Sequence, residues 1–445
     1  MMVSRRFLSR MASATAPRPA SSSAPKTAIL MLNMGGPRKV EEVSDFLHRL
    51  FTDGDIIKLP AQKALGSWIA RRKCFDFFQF FWCSATCLET MMVSRRFLSR
   101  MASATAPRPA SSSAPKTAIL MLNMGGPRKV EEVSDFLHRL FTDGDIIKLP
   151  AQKALGSWIA RRRTPVIQQK YSEIGGGSPI SKWTDLQGQL LCDTLNQSIP
   201  EYGPFKHYLG FRYAHPLLED TIPQMAQDGI EHVVAFSQYP QYSCATSGSS
   251  FNALHKYFSS GNSSPFKWSI IDRWATQPHL AKAFADLIRS ELDKFPENIR
   301  RQFVLLFSAH SLPMRAVNRG DPYPAEVAAT VNLVMRELGY PNPYRLVWQS
   351  KVGPLPWLSP TTEEAMKGLV ERGRSHQMLI PIAFTSDHIE TLHEMDIEYG
   401  KEYAEKIGLK TFARCPAPND HPEFIRALVS EVEDHFQKKQ WIRPQ

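Results

Sequence analysis

Short apolar runs that alternate with amphipathic helical stretches constrain this chain more than any other feature. Ala118 to Met124 reads AILMLNM, an unbroken apolar run suited to a strand buried on both faces, and Gly125-Gly126-Pro127 closes it. A helix is expected next, because Val130, Val133, Phe136, Leu137, Leu140 and Phe141 recur at helical spacing. Further strands are expected at His207–Phe211, His232–Ser237, Lys267–Ile271, Phe303–Ser308, Arg345–Gln349 and Met378–Phe384, with helices around 276–294, 324–338 and 361–374. Strands that alternate with helices give parallel sheets joined by right-handed crossovers. The expected class is therefore α/β, with two Rossmann-like domains, parallel sheets flanked by helices, and an active-site cleft between them. A break at Phe295-Pro296-Glu297-Asn298 sets the domains at 117–297 and 298–445.

The 445 residues contain a verbatim duplication: Met1 to Arg72 recurs as Met91 to Arg162. Between the copies, residues 73–90 read KCFDFFQFFWCSATCLET, which has no period. A tandem repeat that evolved as architecture drifts and stacks, and this one does neither. The second copy continues directly into the rest of the chain, so it is expected to supply the first strand and helix. Residues 1–90 are read as a duplicated leader, strand and helix with an aberrant linker, outside the fold. Residues 91–116 combine Arg95, Arg96, Arg100 and Arg108 with many Ser and Ala and no acid, the composition of a mitochondrial presequence.

The formal charge of +11 suggests a nucleic-acid partner until it is located. Residues 1–116 hold all of the excess, whereas 117–445 carry 36 basic and 36 acidic residues. A nucleic-acid binder keeps its basic excess on the folded body, so no nucleic-acid partner is expected. No apolar run approaches the ~18 residues of a spanning helix. Cys192, Cys244 and Cys415 are too scattered for a disulfide framework, and Cys83 with Cys87 makes only a weak C-x3-C pair.

In open parallel sheets ligands bind beyond the carboxyl ends of the strands. The strand ends here lead into Met124-Gly125-Gly126-Pro127, Arg212-Tyr213, Gln238-Tyr239-Pro240, Ala309-His310-Ser311, Ser350-Lys351 and Thr385-Ser386-Asp387-His388. Titratable groups thus gather at one edge of both halves. The glycine pattern of a dinucleotide site is missing from the first turn, and Gly175-Gly176-Gly177-Ser178 is not preceded by a predicted strand. On an α-helical course Asp387, Glu390 and Glu394 fall within an arc of about 60°, and Glu398 extends the stripe. Like charges at such spacing destabilise a helix by roughly 0.2–0.5 kcal/mol per pair. The stripe is either a solvated face or a conduit of oxygen ligands for a divalent metal or for protons, opposite His310. Carboxylate with imidazole suits Fe(II) and similar ions. Arg162, Arg163, Tyr171, Ser178, Arg212, Tyr213, Tyr239, Trp348 and Trp357 suit a flat apolar ligand that bears carboxylates, through aromatic faces and guanidinium clamps. The segment Phe141–Ile159 places Ile146, Ile147, Leu149, Leu155 and Trp158 beside Arg161-Arg162-Arg163, the pattern either of a membrane-surface lip or of plain helix packing.

The motifs LNMGGP at 122–127, GGGSPI at 175–180, GFRYAHP at 210–216, QYPQYSC at 238–244, SAHSLP at 308–313, WQSKVGP at 348–354 and FTSDHIETL at 384–392 occur in this order. Together they closely resemble the eukaryotic mitochondrial ferrochelatases, of fungal-like kind, from 117 to about 435. The resemblance implies insertion of Fe(II) into protoporphyrin IX to give protohaem, on the matrix face of the inner mitochondrial membrane, by a peripheral homodimer. It implies that His310 takes protons from the pyrrole nitrogens, with Glu390 its partner. Asp387, His388 and Glu394 would form a path for metal or protons, and Met124, Arg163, Tyr171, Ser178, Arg212, Tyr213 and Trp357 would line the porphyrin pocket. Cys244 matches one ligand of a [2Fe–2S] cluster carried by many animal and some fungal members. The matching C-terminal cysteines are missing here, so no cluster and no permanently bound cofactor is expected. A catalytically silent porphyrin carrier of the same fold would need neither His310 nor Glu390, and both are present.

Overall fold

The structure is a computed structural model and describes residues 117–438, apart from 147, 148, 150, 263 and 354. The expectations placed on 1–116 lie outside the described residues. Two four-stranded sheets form the frame. The first contains β1 (Thr117–Asn123), β2 (Phe205–Phe211), β3 (His232–Ser237) and β4 (Lys267–Ile271) in the order β2-β1-β3-β4. The second contains β5 (Val304–His310), β6 (Tyr344–Gln349), β7 (His376–Pro381) and β8 (Thr411–Arg414) in the order β6-β5-β7-β8. Every strand pairing is parallel. β1 is buried at all seven positions, as a central strand covered on both faces must be. It comes from the second copy of the duplicated segment. β8 has no counterpart among the expected strands.

Helices α1 (Val133–Thr142), α2 (Gln152–Glu173) and α3 (Ile180–Ser198) connect β1 to β2. α4 (Leu218–Gln227), α5 (Ser247–Ser259) and α6 (Pro278–Leu292) lie within or after the first sheet in chain order. α7 (Tyr323–Leu338) and α8 (Thr362–Val370) flank the second, and α9 (Pro422–Gln437) ends the described chain. Local chemistry sets their ends. Thr361 accepts from Glu364 N–H while Glu364 accepts from Thr361 N–H, a reciprocal cap for α8. Gly339, at φ 77°, closes α7 in the left-handed conformation.

One continuous core joins the sheets: Ile119, Val234 and Phe236 from the first meet Leu305, Phe307 and Ile380 from the second, with α6, α7 and α9 between. α9 comes after the second sheet in sequence but packs on the first, where Phe436 meets Phe205 and Tyr202. The segment after β7 meets the segment after β3, where Thr385 donates to the Gln238 carbonyl at 3.3 Å.

Candidate active site

β5 ends at His310, where Ser311 N–H returns to the Gln349 carbonyl and so fixes the strand end. The coil after β7 carries Asp387 to Ile389 to the same edge and enters a wide π-helix, Glu390–Tyr403. There His310 Nδ1 and Glu390 Oε2 are 2.8 Å apart. His388 approaches the same carboxylate from the other side, its Nε2 3.9 Å from Glu390 Oε1, while its Nδ1 contacts the Ser386 carbonyl at 3.0 Å.

Ser350, expected at a strand end, and Tyr399, which no motif singles out, complete the arrangement. Ser350 comes directly after β6 with φ at 61°, a left-handed conformation costly for a non-glycine residue. That backbone aims its N–H at Glu394 Oε1 (2.9 Å) and its hydroxyl at Glu394 Oε2 (2.5 Å) and Glu390 Oε2 (3.3 Å). Tyr399 donates to Glu394 Oε1 at 2.8 Å. A hydrogen-bonded line therefore runs from His310 through Glu390, Ser350 and Glu394 to Tyr399.

Electrostatics sorts the groups on this line. Desolvation by the cleft walls opposes a charged His310, but the Glu390 charge and hydrogen bond, with Glu394 behind, outweigh it and raise the ring's pKa. For Glu390 desolvation again opposes charge, and His310 and His388 overcome it and hold the carboxyl well below its usual range. Glu394 goes the other way. Burial and the neighbouring Glu390 charge raise its pKa against the Ser350 and Tyr399 hydrogen bonds.

The π-helix changes the expected acidic stripe. Its i→i+5 pitch is wider than that of the α-helix on which a common arc depends. Glu390 and Glu394 face the site, whereas Glu398 turns to Lys170 on α2. Asp387 precedes the helix and is held by Arg414 Nη1 (2.7 Å) and Asn419 Nδ2 (2.8 Å), so it shares no arc with the other carboxylates.

Of the other expected residues, Tyr171 is 2% exposed and sits with Val133, Leu137 and Phe141, against which Ile389 packs. Met124 N–H donates to Asn123 Oδ1 (2.7 Å) and the Tyr239 hydroxyl (3.0 Å). Ser178 is buried, with its N–H on the Pro127 carbonyl at 2.7 Å. Arg212 and Tyr213 both hold Asp143, the tyrosine at 2.7 Å; nothing in the sequence marks this aspartate. Arg163 is exposed, its guanidinium 5.6 Å from the Phe141 ring centre. Trp357 bridges to Pro313, three residues beyond His310. Cys244 is exposed, whereas Cys192 and Cys415 are buried. Among the described residues no group of three or more ligating side chains has metal-site geometry.

Two parallel four-stranded sheets, the second of which brings an imidazole–carboxylate couple and a second buried carboxylate to its carboxyl edge, place the chain among α/β proteins with an acid–base cluster at a strand edge. The ferrochelatase family profile matches residues 26–76 and 116–436, the first stretch being the duplicate, and the chain belongs to the ferrochelatase family. It is 58% identical to the mitochondrial ferrochelatase of Drosophila melanogaster over 335 residues, covering 75% of this chain and 87% of that protein. The mitochondrial ferrochelatase of Bos taurus is 58% identical over 73% of this chain and 79% of its own length. That of Schizosaccharomyces pombe is 48% identical over 73% and 76% respectively. Among solved structures, SirB from Bacillus subtilis with Fe3+ aligns at a TM-score of 0.41 and 13% identity, covering 74% of this chain and 99% of that one.

Proposed function

We propose that His310 and Glu390 carry out in this chain the reaction of its family: insertion of Fe(II) into protoporphyrin IX, which yields protohaem and two protons as the terminal step of haem biosynthesis. The 2.8 Å contact between His310 Nδ1 and Glu390 Oε2 carries this reading. Metallation needs a base at the pyrrole N–H groups and a route for the protons removed. Because Nδ1 is engaged by Glu390, His310 accepts a proton at Nε2, and the ionised carboxylate stabilises the resulting imidazolium. Ser350 and Glu394 pass protons on from Glu390, and His388 supports its charge. Asp387, paired with Arg414, holds the frame and stays off this route. Met124, Arg163, Tyr171, Ser178, Arg212, Tyr213 and Trp357 receive the macrocycle and its carboxylates.

The protein is mitochondrial. We place it on the matrix face of the inner membrane as a peripheral homodimer. Trp158 on α2 is 52% exposed beside Arg161 to Arg163, which supports contact with a lipid surface. Ile146 is half-buried, and Ile147 lies outside the described residues. No helix among the described residues is long and apolar enough to cross a membrane.

Zinc or ferrous insertion by the purified full chain tests the reading. His310→Ala is expected to abolish turnover while porphyrin still quenches the protein's tryptophan fluorescence. Near wild-type turnover by this variant refutes the assignment.

A further inference from the structure

A second charged cluster lies on the outer side of the π-helix, around a cavity of about 470 Å³. Lys170 and Glu173 reach it from α2, Glu363 from α8, and His393, Glu398 and Glu402 from the π-helix, with Tyr403 and Lys406 at its edge. His393 is 5% exposed. Its Nε2 lies 2.6 Å from Glu173 Oε2 and its Nδ1 lies 3.0 Å from Glu398 Oε1, the second contact without hydrogen-bond geometry. Lys170 pairs with the same Glu398 carboxylate. The His393 hydrogen bond, helped by Gln169, holds the Glu173 carboxyl below its usual range.

Position gives this network its consequence. Lys170 and Glu173 share a face of the last turn of α2, and Tyr171 between them forms part of the site wall against Ile389. On the π-helix, His393 directly precedes Glu394 and lies three residues after Glu390. The one turn of α2 thus grips the π-helix from outside and borders the site from within. Upstream, Pro165 lies inside α2, which runs on as one helix through it. A proline inside a helix removes a backbone hydrogen bond and permits a kink. No group of three or more ligating side chains among the described residues has metal-site geometry, so the cluster is not read as a cation site.

We propose that Glu173, His393, Glu398 and Lys170 form a positioning clasp for the reaction proposed above, tying α2 to the π-helix and holding Glu390 and Glu394 at their distances from His310. The inference rests on that functional reading. None of the four touches substrate; each acts through the two carboxylates.

The test compares Glu173→Gln, His393→Gln and the double variant in the full chain, by zinc insertion well below the lowest Tm. Each single variant is expected to lower kcat about threefold to tenfold, with the porphyrin KM within about twofold of wild type. The double variant should be no worse than the weaker single, since both break one contact. Unchanged kcat, losses that multiply in the double variant, or a fall confined to Tm overturns the clasp. An inactive wild-type chain overturns the proposed function and the clasp with it, whereas an active wild type with unaffected variants overturns the clasp alone.

Discussion

Arg414→Met removes a guanidinium that ties β8 to the π-helix and to Asp387 just before it. Arg414 Nε and Nη2 make a two-pronged contact with Asp396 within the π-helix, each at 2.7 Å, and Nη1 reaches Asp387 just before it, also at 2.7 Å. The Arg414 and Asp387 side chains are only 12% and 11% exposed, and Asp396 is 34% exposed. Removing one partner of a buried ion pair costs about 3–5 kcal/mol, because the other charge stays desolvated. Two features move this case to the lower end. Water screens the Asp396 share, and Asn419 Nδ2 still donates to the Asp387 carboxylate at 2.8 Å. The expected loss is about 3 kcal/mol, and at about 2.1 cal/mol/K per residue over roughly 320 folded residues, or about 1.5 °C per kcal/mol, Tm should fall by about 4–5 °C. Calorimetry and urea denaturation at pH 7 measure it, beside Arg414→Lys, which keeps the charge but not the planar fork. The lysine variant should recover only part of the loss. A Met variant within 2 °C of wild type, or a Lys variant equal to wild type, refutes the reasoning.

Glu390→Gln removes the charge that raises the His310 pKa and leaves desolvation less opposed, so NMR titration should find the ring deprotonating at lower pH than in wild type. Because the wild-type value is raised, the stability this pair contributes is present below the unfolded histidine pKa and lost as pH rises through the folded one; an unmoved titration in the variant would sink this account. Gly177→Ala would place a Cβ 2.1 Å from the Arg128 carbonyl oxygen, which is backbone and cannot swing aside. A cost of about 1–3 kcal/mol and weaker porphyrin binding through the adjoining Ser178 are expected, read as urea midpoint and fluorescence quenching.

The strand ends were the most legible part of the site. In a parallel sheet the carboxyl edge collects ligand-facing groups whatever the chemistry, so His310, Arg212 and Ser350 could be placed from apolar runs alone. β8 escaped because Thr411–Arg414 is four residues with a single buried position, too short and too polar to form a run. The π-helix escaped for another reason. Its pitch is a property of backbone pairing, so an α-helical period sets Asp387 and Glu398 beside Glu390, where the structure gives them to Arg414 and Lys170. The positive φ of Ser350 has no glycine to announce it. The return of α9 to the first sheet depends on contacts such as Phe436 with Phe205, distant in sequence and therefore invisible to any local pattern.

The opposite shifts of Glu390 and Glu394 explain how one small cluster can serve a reaction that releases two protons. Two desolvated carboxylates linked through one serine hydroxyl cannot both ionise cheaply, and the one that gains a cation takes the charge. His310 and His388 favour the charge on Glu390, while burial and that charge raise the Glu394 pKa. In the mechanism proposed above, a proton taken by His310 at Nε2 lets its Nδ1 proton pass to Glu390 and from there through Ser350 toward Glu394. Two carboxylates pulled in opposite directions by one set of neighbours give that proposed route its direction, from the macrocycle toward the buried end of the line.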